Sequence, residues 1–270
     1  MPQQPIPDFS MLSRRHALRV LGGTASALVL AACGGGSTGD TSTDSGTTTD
    51  SGTTTGGSTS CSEIPEETNG PFPADGSQSG VTNVLADSRV IRSNIVSDFD
   101  GTDTQAGIPL TLTINVLNVG NSCAALEGAA VYIWHCNADG EYSVYSSGSN
   151  GNHSGQTFLR GAQLSDSSGQ VTFTTIYPGR YAGRATHIHV EVYSSSSLTT
   201  LLKTSQFAFD ETVNDTVYAT TEYSDSEATT ETSNASDNVF SDGYDDELLT
   251  LSGNTSSGYT ATITMGVPAT

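Results

Sequence analysis

Basic residues are scarce in this 270-residue chain: nine lysines and arginines stand against 29 aspartates and glutamates, a formal net charge of −20. A surface of that sign repels a phosphate backbone, which excludes nucleic acid as a partner. No two cysteines stand at Cys-x-x-Cys spacing, so zinc ribbons and dithiol redox motifs are excluded as well. The longest apolar stretch, Leu18 to Ala32, is too short to span a bilayer comfortably. No segment carries the period of a long amphipathic helix, which argues against bundles and helix-covered parallel sheets. Between Gly34 and Ser60 there is no apolar residue at all. Such a segment buries no core and reads as a flexible tether.

Upstream of the tether, Ser13-Arg14-Arg15-His16-Ala17-Leu18-Arg19 and the following apolar stretch resemble a twin-arginine export signal, with Ala17 where a large apolar residue is usual. Leu30-Ala31-Ala32-Cys33 resembles a lipoprotein processing box. The expectation is a cleaved signal over residues 1–33, a lipid on Cys33 as the sole membrane attachment, a tether over 34–60 and a folded domain over 61–270. The protein would then be exported and held at the cell envelope. With Cys33 lipidated, Cys61, Cys123 and Cys136 allow one disulfide and one free thiol. Cys136 follows Trp134-His135 on a strand that should be interior, so Cys61 and Cys123 are the favoured pair.

Within the domain, Cys61 to Gly76 carries Pro65, Pro71 and Pro73 and reads as an extended arm. Strand signals follow at Leu110 to Val119, Ala129 to His135, Gln170 to Ile176, His187 to Tyr193, Leu201 to Phe209 and Gly258 to Met265. Turns rich in Gly, Asn, Asp and Ser separate them. The class is all-β, an antiparallel β-sandwich with long irregular loops, and residues 210–247 form an acidic, irregular excursion.

Chemistry concentrates in Tyr177-Pro178-Gly179-Arg180-Tyr181-Ala182-Gly183-Arg184-Ala185-Thr186-His187-Ile188-His189. Side chains two apart on a strand share a face, so His187 and His189 project together as a metal cradle or as two edge histidines. A second segment, Trp134-His135-Cys136-Asn137-Ala138-Asp139-Gly140-Glu141-Tyr142-Ser143, ends a strand and turns before presenting Tyr142. Arg160-Gly161-Ala162-Gln163 lies between the two.

The order Trp-His-x-x-x-x-Gly-x-Tyr-Ser, Arg-Gly-x-Gln, Tyr-Pro-Gly-x-Tyr and Arg-x-x-His-x-His resembles the intradiol ring-cleavage dioxygenases, which include the catechol 1,2- and protocatechuate 3,4-dioxygenases. The resemblance runs from Gly70-Pro71-Phe72-Pro73 to the last strand. It implies a non-haem Fe(III) held by Tyr142, Tyr181, His187 and His189, with Arg184 beside the substrate and Gln206 near the site. It also implies a catechol-type substrate, cleaved with O2 between its hydroxylated carbons to a muconate-type diacid. A hard Fe(III) ion suits phenolate donors, and a bound cation holds a phenol deprotonated below its free pKa of about 10. Tyr145 and Tyr177 are the alternative phenols. His135 reads as a supporting or structural group and His153 as a solvated one. The compact spacing between Tyr181 and Arg184 resembles an exported branch of the family. The competing readings are a non-catalytic ligand-binding surface lipoprotein and a zinc hydrolase built on His187 and His189. Ring substituents, pathway and oligomeric state leave no mark in the sequence.

Overall fold

The computed structural model describes residues 61–269. The expected signal, Cys33 and the 34–60 tether lie outside the described residues. Eleven strands and two short helices run in the order β1 Pro109–Asn118, β2 Ala124–Ala125, β3 Ala130–Trp134, β4 Ser146–Ser147, β5 Gly151–Asn152, β6 Arg160–Leu164, β7 Gln170–Ile176, β8 His187–Tyr193, β9 Leu201–Ala208, α1 Glu211–Tyr218, α2 Ser224–Ala228, β10 Thr250–Asn254 and β11 Gly258–Val267.

Two sheets carry the fold. One runs β10-β11-β1, with β7 along Pro109 to Asn115 of β1 and the two-residue β2 beside Leu117 and Asn118. The other runs β6-β3-β8-β9, antiparallel throughout. The alternation in β1 buries Leu110, Leu112, Ile114 and Val116, and these meet Val131, Ile133, Ile188, Val190, Val192 and Phe207 from the second sheet in one core. Period-2 alternation therefore settles which side of each strand faces its partner sheet.

One pairing departs from the antiparallel expectation: β1 and β11 run parallel, Leu110 opposite Tyr259 through Asn118 opposite Val267. Alternation is the same for either direction, and parallel neighbours need only a long connection, which here includes the whole second sheet. Residues 210–247 are also more ordered than their composition suggests. Asp210 caps α1 by accepting from Thr212 N at 2.8 Å and Val213 N at 3.2 Å, and Val217 and Tyr218 are buried beneath it. An eight-residue helix is too short for its period to stand out in sequence.

The outer face of β8 is covered as well, by the arm that starts at Cys61. Lys203, the single lysine, is buried and ion-paired to Glu63 and, at 3.1 Å, to Glu66. Tyr132 donates its hydroxyl to Pro73 O at 2.9 Å. Arg160, fully buried on β6, donates to Phe72 O at 2.8 Å and Pro73 O at 3.2 Å on one side and to Ser143 Oγ and Ser143 O on the other. With both faces covered, every residue of β8 is buried.

Cys61 and Cys123 pair, with Cα atoms 5.8 Å apart, and Cys136 is free and buried. Burial pushes the Cys136 thiol up to about 12. The bridge ties the start of the arm to the turn after β1 across 62 residues of sequence. Closing a loop of that length is worth about 4 kcal/mol in the chain-entropy account. The double change Cys61→Ser and Cys123→Ser is expected to lower unfolding stability by up to that amount, read from urea midpoints. Unchanged midpoints would show that the ion pairs and hydrogen bonds of the arm hold it without the bridge.

His135 joins the two sheets. Its Nε2 lies 2.7 Å from Thr175 Oγ1 on β7 and its Nδ1 2.8 Å from Cys136 O. Burial pushes its pKa from 6.5 down to about 4. Between those values the unfolded chain binds a proton that the folded chain does not, so stability falls as pH drops through that window, by about 3 kcal/mol for this group. In His135→Gln, the stability loss from pH 6.5 to pH 4 is expected to shrink by about that amount. Equal losses in both proteins would place the proton elsewhere.

Candidate metal centre

Three of the sequence-derived candidates bring their donor atoms together. His187 and His189 project from the arm-covered face of β8, with Nε2 atoms 3.0 Å apart. Tyr142 approaches from the turn after β3 and places its hydroxyl 3.2 Å from His187 Nε2 and 3.4 Å from His189 Nε2. A triangle with those edges leaves a point about 2 Å from all three corners, the usual bond length from a transition metal to imidazole nitrogen or carboxylate oxygen. These three atoms could hold one metal ion. Among the described residues no group of three His, Cys, Asp or Glu could do so. The third donor here is a phenol.

Each donor is held from behind. His187 Nδ1 donates to Ala185 O at 2.6 Å, which leaves Nε2 as a bare lone pair. Burial, with Arg184 adding to it, pushes the His187 pKa down to about 3, so the ring is neutral at ordinary pH. The His189 ring lies flat against Trp134, centroids 4.6 Å apart and planes 1° from parallel. Burial and then neighbouring His187 take its pKa well below 6.5. Tyr142 donates its backbone N–H to Asn150 Oδ1 at 2.7 Å, and Phe72 stacks on its ring at 4.8 Å. Burial raises the Tyr142 phenol well above 10, with Arg184 and Arg160 pulling weakly the other way. A phenol in that setting gives up its proton only to a strong local positive charge.

Tyr181 completes the neighbourhood. It is half-buried, with its ring edge-on to Tyr142 and to Phe72, 5.6 Å from each. Its hydroxyl makes no hydrogen bond among the described residues. Burial raises its pKa and Arg184 opposes the rise. The loops bearing the two tyrosines are packed backbone to backbone. A Cβ on Gly140, at φ 86°, would collide with Arg180 O, and one on Gly179 would collide with the carbonyls of Asn137 and Ala138. Only glycine at these positions allows that approach.

Arg184 stands beside the triangle. Its Nη2 donates to Gln206 Oε1 at 2.7 Å, and Gln206, opposite His189 on β9, donates in turn to Thr68 O at 2.7 Å. Nε faces Asp237, at 2.9 Å from Oδ2 and 3.1 Å from Oδ1. Nη1 makes no hydrogen bond among the described residues.

The other candidates are elsewhere. Tyr145 donates to Gln78 Oε1 at 2.6 Å and accepts from Ala74 N. Tyr177 lies in the sandwich core and donates to Asn214 Oδ1 at 2.7 Å. His135 faces Thr175, as the structural alternative required. His153 is not solvated as expected. Its side chain is 18% exposed and bridges Glu141 at 2.7 Å and Gln156. The surrounding Ser, Gly and Asn residues gave no sign of a carboxylate brought back by the turn. Sequence reasoning also missed Asp237, which sits in a Ser/Asn/Ala stretch with no periodicity.

A family model described as Dioxygenase matches residues 86–248. No curated protein sequence matches the chain. Among solved structures, an intradiol ring-cleavage dioxygenase from Tetranychus urticae is 25% identical, covers 77% of this chain and 95% of that one, and superposes with a TM-score of 0.61. A second solved dioxygenase gives 25% identity over the same shares and a TM-score of 0.62. The dioxygenase domain of a dioxygenase–carbohydrate-binding fusion from Streptomyces sp. SirexAA-E covers 77% of this chain and all of its own at 21% identity and a TM-score of 0.50, a likeness of fold alone. The family match spans more than half of the chain and includes both tyrosines, both histidines, Arg184 and Gln206: the protein belongs to the intradiol ring-cleavage dioxygenases and is an oxidoreductase.

Proposed function

We propose that the protein holds a non-haem Fe(III) through Tyr142, Tyr181, His187 and His189 and cleaves a catechol-type ring between its two hydroxylated carbons with O2, giving a muconate-type diacid. The observation that supports this reading is the triangle of Tyr142 Oη, His187 Nε2 and His189 Nε2 at 3.0–3.4 Å. Its donor chemistry fits a hard trivalent ion: two neutral imidazoles, and two phenols that become anionic only beside strong positive charge. When bound, Fe(III) supplies that charge and makes a coordinated catechol reactive toward O2.

The chain's own residues do the rest. Tyr142 is buried and clasped by Phe72 and Asn150, so it is the fixed phenol. Tyr181 is half-buried with an uncommitted hydroxyl, so it is the phenol free to leave and to take the proton of an incoming substrate hydroxyl. The Arg184 guanidinium offers no lone pair and cannot ligate. Held at Nε and Nη2, it keeps Nη1 for charge developing on the substrate. Phe72, on the arm, packs its ring against both Tyr142 and Tyr181.

The same reading extends to residues outside the described range: a twin-arginine signal, a lipid on Cys33 and a tether over 34–60 would place the enzyme at the cell envelope. Palmitate labelling of cells expressing the full chain is expected to mark the protein and to fail in Cys33→Ala. Equal labelling of both would remove the anchor from the proposal.

Iron-loaded wild type is expected to show an intense tyrosinate-to-Fe(III) absorption band, with iron and band lost together in His187→Ala. Arg184→Met should keep both while turnover per bound iron falls about a hundredfold or more, matching a loss of about 3–4 kcal/mol at the transition state. A colourless wild type would sink the ligand assignment, and unchanged turnover in Arg184→Met would sink the role of the arginine.

A further inference from the structure

Asp237 commits both of its carboxylate oxygens to hydrogen bonds. It is fully buried and follows the short turn Asn234–Ser236 in the acidic 210–247 segment. Oδ2 accepts from Arg184 Nε at 2.9 Å and from Ala185 N at 2.6 Å. Oδ1 accepts from Val239 N at 2.7 Å and from Arg184 Nε at 3.1 Å. Ala185, held at its N–H in this way, offers its own carbonyl, in the next peptide group, to His187 Nδ1 at 2.6 Å. One carboxylate therefore holds, on one side, the guanidinium whose Nη2 reaches Gln206 and, on the other, the N–H of the residue whose carbonyl sets the His187 ring.

We propose that Asp237 is a positioning residue of this enzyme: it orients Arg184 so that Nη1 faces the substrate, and it does so through charge rather than through the fold. The inference rests on the reading of Arg184 given above. A fork anchored at Nε and Nη2 has lost the torsional freedom of a long side chain. A buried carboxylate opposite it also keeps a buried cation tolerable when no substrate is present. An asparagine at this position retains an oxygen for Ala185 N, so the His187 support survives, but it cannot balance the guanidinium. The residue thus acts on substrate charge stabilisation and leaves the metal triangle in place.

The test is a double-mutant cycle in the iron-loaded protein, with Asp237→Asn, Arg184→Met and the double variant, read by the affinity for 4-nitrocatechol and by turnover of catechol per bound iron. Iron content should match wild type in all three. Asp237→Asn is expected to weaken 4-nitrocatechol binding and to lower turnover at least tenfold in the wild-type background, and less than twofold once Arg184 is Met. Equal losses in both backgrounds would mean that Asp237 only supports the fold, and no loss in the wild-type background would also overturn the proposal. If Arg184→Met is itself silent, the assignment of Arg184 fails first, which separates that failure from this one. A readout on the unmutated apo-protein covers the case in which Asp237→Asn does not fold. The Arg184 Nε–H proton should appear as a distinct, slowly exchanging side-chain NMR signal, and exchange as fast as that of exposed Arg89 would overturn the proposal.

Discussion

Keeping two imidazoles and a phenol within 3.4 Å of one another, out of water, is the constraint on which the rest of the structure depends. Each buried polar group left without a partner costs about 1–3 kcal/mol. The chain limits that cost only in part: Ala185 O accepts from His187 Nδ1, and Asn150 and Phe72 fix Tyr142 through its backbone N–H and its ring, whereas His189 is packed on the Trp134 face and its Nδ1 has no hydrogen-bond partner among the described residues. None of these comes from the same segment as the ring it supports, apart from Ala185. The site is therefore a product of the packed sandwich and its covering arm.

The scarcity of basic residues in the sequence has a structural counterpart. The domain has six, and each fastens something. Arg160 joins the arm to the Tyr142–Ser143 turn, and Lys203 joins it to β9 through Glu63 and Glu66. Arg92 donates to the carbonyls of Ser97, Asp98, Thr157 and Arg160. Arg180 lies over the Tyr218 ring and pairs with Glu231 at 3.3 Å. Arg184 serves the site, and exposed Arg89 pairs with Asp87 and lies over the Phe99 ring. In a chain this acidic, a cation has many exposed carboxylates to choose from, and such pairs are worth little. Backbone carbonyls and the buried Asp237 take Arg92, Arg160 and Arg184, and the other three pair with carboxylates that are at least partly exposed.

The electrostatics divide the same way. The His187 and His135 pKa values are driven down to about 3 and 4 mainly by burial, and Glu191, on the same face of β8, is driven up to about 8. Neutral forms dominate along the covered sheet face. Arg160 and Arg184 also reach this face, and Arg184, paired with Asp237, is close enough to influence both tyrosines and both histidines.

Alternation and motif order were legible without coordinates. His187 and His189 share a face because strand geometry leaves no other arrangement, and the β7 and β8 limits follow from β-branched runs bounded by turns. The order of the Trp-His, Arg-Gly and Tyr-Pro-Gly segments carried the family. What alternation does not encode is strand direction, hence the unforeseen parallel β1–β11 pair. Nor does local sequence show which distant groups meet: Asp237 beside Arg184, the Arg160 clamp on Pro73, His153 on Glu141. Those partners lie from 12 to 87 residues apart, and only packing two sheets and an arm around one core brings them within hydrogen-bond reach.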